Sequence, residues 1–183
     1  MREDYSLIED DKLVRRIAAT NDTFLFGILY DRYSKVVYNK CLSFVRDKQE
    51  AEDLTHDIFV KLFISLRKFS GRSKFSTWLY SFTYNYCVNY VQRKKNKYAP
   101  AFNAEQYAEL SDYDDSELLQ AKENRLMKAL EQIPPEDKMI LLMKFQDDMS
   151  IKDLQDLLDI GESAVKMRIK RAKARVIQAF NQL

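Results

Sequence analysis

Glycine and proline are scarce in this chain, three of each in 183 residues. With helix-period patterns dominant and alternating strand patterns hard to find, that scarcity points away from a fold of short strands and turns and towards helices. Cysteine occurs twice, as Cys41 and Cys87, without CxxC spacing, and His56 is the single histidine. A zinc site is excluded on that inventory. Both cysteines lie among apolar residues at helical spacing and read as buried, reduced thiols. No apolar run approaches the roughly 20 residues that cross a bilayer, and the charged stretch Met1 to Lys12 lacks an apolar signal core. The expectation is a soluble cytoplasmic chain with no membrane insertion. Nor does the sequence hold a glycine-rich phosphate loop, a metal motif or a cluster of catalytic carboxylates, so it reads as a non-enzyme that takes no cofactor.

What is present is apolar residues, 46% of the chain, enough for a sizeable core. The expected fold is all-α: two small helical modules, residues 1–98 and 117–183, joined by an acidic linker at 99–116. In the first module, helices are expected from Asp10 to Ala19, from an Asn21 or Asp22 cap to about Val45, from Gln49 to about Arg67, and from about Phe75 to Lys95. Phe26, Leu29, Tyr33, Val37, Leu42 and Val45 should line the second of these. The fourth is unusually aromatic. A net charge of +2 hides a segregation. Arg93, Lys94, Lys95 and Lys97 form a basic cluster, the following segment holds Glu105, Glu109, Asp112, Asp114, Asp115 and Glu117 with no base, and a basic tail closes the chain.

That tail reads as a helix-turn-helix. Ser150 with Asp153 resembles a capping box, Leu154, Leu157 and Leu158 follow at helical spacing, and Gly161 is expected to supply the flexible backbone of the turn. Ser163 is expected at the start of the second helix, whose inner stripe is Val165, Ile169, Ala172 and Val176. At about 100° per residue, the outer side carries Ser163, Met167, Lys170 and Arg171, flanked by Lys166, Lys173 and Arg168. From Lys166 to Arg175 every charged residue is basic. A merely solvated helix usually mixes signs, whereas a helix facing a polyanion gains by releasing counterions.

The ordered patches are specific enough to name a resemblance. Phe26–Tyr33, Glu50–Phe59, Phe75–Tyr80 with Asn85 and Arg93–Lys95 beyond, and then Leu130–Pro135 with Val165–Ala172, resemble regions two and four of an extracytoplasmic-function sigma factor of the sigma-70 family. Departures lie mostly in the helix-turn-helix: Gln155, Asp159, Ala164 and Met167 stand where the family commonly has Ala, Gly, Thr and Ser, and His56 stands where it often has Gln. The resemblance implies a transcription initiation factor whose partners are core RNA polymerase and promoter DNA, and it allows an anti-sigma factor as a third. It implies a polymerase-binding surface at Glu50, Asp53, His56, Asp57 and Lys61. Contacts to the minus-ten element would come from Arg72, Lys74, Asn85, Arg93 and Lys94, with the Asn85 amide suited to a base edge. Those to the minus-thirty-five element would come from Ser163, Lys166, Met167, Arg168, Lys170 and Arg171. The rival reading is an autonomous helix-turn-helix repressor or activator, which would bind a duplex operator alone and usually as a dimer.

Overall fold

Several helices begin where a short polar side chain can satisfy the amides that the first turn leaves without partners. The computed structural model describes residues 8–97 and 115–183, so the expected linker lies almost wholly outside the described residues. Helix α1 (Asp10–Thr20) buries Leu13, Val14 and Ile17 and ends at Asn21, which takes the left-handed conformation at φ 54°. Asp22 then caps α2 (Thr23–Val45), accepting from the Phe24 and Leu25 amides at 2.8 and 3.2 Å. Asp47 caps α3 (Lys48–Ser65), accepting from the Glu50 amide at 2.8 Å. A 3-10 turn, Leu66–Lys68, extends it as far as the sequence suggested.

Helix α4 (Phe75–Lys97) follows the loop at Gly71, whose φ of +70° suits glycine. Helix α5 (Asp115–Gln132) starts two residues before the expected boundary. Pro135 opens α6 (Pro135–Phe145), where no amide donor is needed. The last pair is α7 (Ile151–Leu158) and α8 (Glu162–Gln182).

Two apolar cores result. The first joins α1 to α4 through residues such as Leu29, Val37, Leu54, Ile58, Leu62, Phe75 and Leu79. Each such side chain, fully buried, contributes about 1.5–3 kcal/mol. The second gathers Ala129, Ile133, Met139, Met143, Leu154, Val165 and Ala172, and it also takes in Tyr84 and Val88 from α4. Helix α4 therefore belongs to both cores.

Three expectations need correction. On α2, Leu25 is buried in place of Phe26, which sits at the core margin edge-on to Phe63 at 4.8 Å. Leu42 and Val45 are only partly covered, and the helix buries Lys40 and Cys41 there instead. In the helix-turn-helix, Gly161 has φ −67°, open to any residue; Asp159 takes the left-handed turn position at φ 51°. Aspartate is among the side chains that tolerate that region, which explains how it replaces glycine there. Ser163 lies in the first turn of α8, as expected, while Gly161 is the capping residue and no side chain bonds to the helix start.

Candidate nucleic-acid interface

Helix α4 packs beside α3 and leaves a cleft of about 410 Å³ between them. Phe82, Asn85, Tyr86, Asn89, Tyr90 and Arg93 line it from α4, and Lys61, Ile64 and Ser65 from α3. The α4 residues recur at three- and four-residue intervals, so one helix face carries them all. Aromatic faces suit stacking, amides suit base edges and the two cations suit phosphates, which is the chemistry of a single-strand site. Asn85 is exposed and its Nδ2 makes only a long 3.4 Å bond to Ser81 Oγ, which a base edge could replace. From the loop end, Phe69, Trp78 and Phe82 form a ladder with ring centroids 5.5 and 5.6 Å apart, and it ends at the cleft. Arg72 and Lys74 lie exposed on that loop.

The five residues expected to meet polymerase divide over three surfaces. Glu50, Asp53 and Asp57 line an acidic hollow of about 350 Å³ with Asp47, Gln49, Leu54 and Tyr90. Lys61 instead belongs to the cleft; its ammonium donates to Tyr86 Oη at 3.1 Å, and that hydroxyl donates to Asp57 at 3.3 Å. His56 sits in an apolar groove with Phe26, Tyr30, Phe59, Val60, Phe63 and Ile64. Glu50 accepts from both Tyr90 Oη and Lys94 Nζ, each at 2.6 Å, so Lys94 is engaged with the acidic hollow. Burial would raise the Glu50 pKa, but the hydrogen bonds from Lys94 and Tyr90 outweigh it and hold the carboxyl below its ordinary value. The same bond to Glu50, helped by burial, pushes the Tyr90 phenol up to about 12.

The second surface is the outer side of α8. The capping box at Ser150 is formed, with Asp153 N donating to Ser150 Oγ at 3.0 Å and Ser150 N donating to Asp153 at 2.9 Å. Val165, Ile169 and Ala172 are buried, and Ser163, Lys166, Met167, Arg168, Lys170 and Arg171 are all exposed. Lys166 pairs with Glu162 one turn back at 2.5 Å. Two further cations are used inside the module: Lys173 lies 4.4 Å from the Phe145 ring centroid, and Arg175 pairs with Asp137. Arg168, Lys170 and Arg171 are the cations the fold presents outward next to Met167.

Asn89, Tyr86 and Tyr90 were not singled out as site residues from sequence. Their register with Asn85 was the available signal, yet nothing in one chain's pattern shows which face of so aromatic a helix stays open. Among the described residues no group of three or more His, Cys, Asp or Glu side chains could hold a metal ion, and no helix is long and apolar enough to cross a membrane.

Comparison with known proteins adds order to these surfaces. The family model for Sigma-70 region 2 matches residues 29–97, and that for Sigma-70 region 4 matches 123–176. The chain is 24% identical to the ECF RNA polymerase sigma factor SigW of Bacillus subtilis over 88% of its length and 92% of that protein. It is 26% identical to the RNA polymerase sigma-H factor of Pseudomonas aeruginosa, covering 96% and 95%. Among solved structures, CnrH bound to the cytosolic domain of CnrY shares the fold with a TM-score of 0.63 at 20% identity, covering 94% of this chain and 97% of that one. RpoE of Bartonella quintana bound to the anti-sigma factor NepR does so at 0.60 and 16%, covering 85% and 96%.

Proposed function

From the premise that this chain belongs to the sigma-70 family, as an extracytoplasmic-function sigma factor of RNA polymerase, we infer a division of labour between its two modules. The protein is a transcription initiation factor: it binds core RNA polymerase and directs promoter recognition and melting. The first module, residues 1–98, carries polymerase on the acidic hollow of α3 and captures the melted minus-ten strand in the α3–α4 cleft. The second, 117–183, lays the basic side of α8 on the minus-thirty-five element, and the acidic segment 99–116 connects them. Nucleotidyl transfer stays with the polymerase; this chain supplies recognition and no catalysis of its own. It works in the cytoplasm, and an anti-sigma protein is a further partner.

The observation that carries the division is the cleft itself. An aromatic and amide wall, lined also by Lys61 and Arg93, offers an unpaired base both a stacking face and hydrogen bonds, which together can offset the few kcal/mol of unstacking it. An autonomous repressor needs no such site, and the region 2 match sets that reading aside. The polymerase-binding half is tested by reversing charge at Asp53 and Asp57, both exposed on α3. The double lysine variant is expected to keep its helical circular dichroism and to lose most of its copurification with core polymerase. Unchanged copurification by the folded variant would move the polymerase surface elsewhere.

A further inference from the structure

The two modules meet over a junction that apolar packing alone does not explain. Lys40 on α2 is 3% exposed and pairs with Asp147, 7% exposed, in the turn between α6 and α7. The ammonium also donates to Tyr84 Oη at 3.2 Å and lies 4.1 and 4.8 Å from the Tyr80 and Tyr84 ring centroids. Beside it, Lys138 of α6 donates to the Ser43 carbonyl of α2, and at the rim Arg46 pairs with Glu131. The other Asp147 carboxylate oxygen is buried without a hydrogen-bond partner among the described residues. We propose that the Lys40–Asp147 pair is a releasable latch: it holds the two modules closed against each other, and it must open before both modules can engage one promoter.

The choice of an ion pair at this place is informative. Two apolar side chains of similar size would seal such a junction as well or better, because a buried pair pays desolvation for both charges. On separation, however, both charges regain water, as does the unpartnered oxygen. At this place the ion pair therefore costs less to reopen than an apolar seal would, while the Tyr84 and Val88 contacts with the second core still oppose separation. Burial pushes the Lys40 ammonium below the ordinary lysine value even with Asp147 beside it, which agrees with a charge that gains from release.

Geometry supplies the need for release, and here the proposal rests on the sigma-factor reading. Elements centred at minus ten and minus thirty-five lie about 25 base pairs apart, or about 85 Å along B-form DNA. A compact body of this size has a radius of gyration of about 16 Å and a diameter of about 40 Å. Closed, the chain cannot span both elements. Positions 98–114 supply a connection whose length reaches about 60 Å at full extension, so separation is within its range.

Small-angle scattering on the full chain tests the latch without polymerase, so its outcome is separable from the failure of the functional reading. Lys40→Asp, which sets two carboxylates together, is expected to raise the radius of gyration by several ångströms, and adding Asp147→Lys is expected to bring it back. The apolar pair Lys40→Met with Asp147→Leu is expected to keep the compact radius and to cut promoter-specific transcription several-fold. Equal radii for wild type and a folded Lys40→Asp would overturn the latch whatever the polymerase assay gives. If circular dichroism shows Lys40→Asp to be unfolded, the apolar pair decides: wild-type transcription from it would equally overturn the proposal.

Discussion

Helices α4 and α8 both offer a working face to solvent, yet they are built on opposite plans. Helix α8 is two-sided: Val165, Ile169 and Ala172 point into one core, and the basic side points out. Helix α4 serves the first core through Phe75, Leu79 and Cys87 and the second through Tyr84 and Val88, so the residues proposed to capture a base share a third, narrow face. A two-sided helix can be read alone, because the side left over from the core is the working side. A helix buried on two flanks takes its function from a neighbour, here α3, which closes the cleft. The two surfaces should therefore fail differently when altered, α8 by losing DNA alone and α4 by losing fold or base capture according to which flank is touched.

The largest expected effect strikes the buried flank of α4. Tyr84→Ala should cost about 3–5 kcal/mol, as large aromatic truncations do. Because Tyr84 packs with the second module, the junction should loosen along with the fold. Thermal unfolding of the variant is expected to show a lower midpoint and two resolved transitions in place of one. A single transition at the wild-type midpoint would mean that α4 does not couple the modules.

Next come the outer residues of α8. Replacing Lys170 or Arg171 with Ala should cost about 1–3 kcal/mol in upstream-element binding where a base contact is lost, and should lower the salt slope by about 1 where a phosphate contact is lost. Salt titrations of the polymerase complex separate the two, and the melting temperature should not move. If neither variant changes footprint or salt dependence, the basic side is merely solvated.

How far the fold could be read in advance follows the same contrast. Caps and stripes act locally, so the helix order, the Ser150–Asp153 box and the inward Val165–Ile169–Ala172 stripe were legible. Lys40 was not, since a lysine on an apolar stripe has meaning only once Asp147, 107 residues away, is seen beside it. Packing divides the set that the resemblance assigns to polymerase, placing Lys61 in the cleft and His56 in an apolar groove. Likewise the pairing of Lys94 with Glu50 crosses two helices, and no spacing within either helix reveals it.

The smallest effect concerns that pairing. Glu50 titrates in the folded chain below the ordinary carboxylate value of 4.5. Its stabilisation is therefore fully present above the unfolded pKa and is lost as pH falls through the lower folded value. Melting curves of wild type and Glu50→Gln should differ slightly at neutral pH and converge in acid. Curves that stay parallel through the acid range would mean that Lys94 gains nothing from Glu50.

The central claim, that α8 reads duplex while the α4 cleft holds an unpaired base, is tested most directly by permanganate reactivity of downstream thymines in the polymerase complex on duplex and bubble templates. Asn85→Ala is expected to leave the upstream footprint intact, to slow opening of the duplex about 10- to 100-fold, matching about 1–3 kcal/mol for a lost base contact, and to keep part of its defect on the pre-opened bubble. Wild-type opening, with wild-type preference at every downstream position, would contradict the claim.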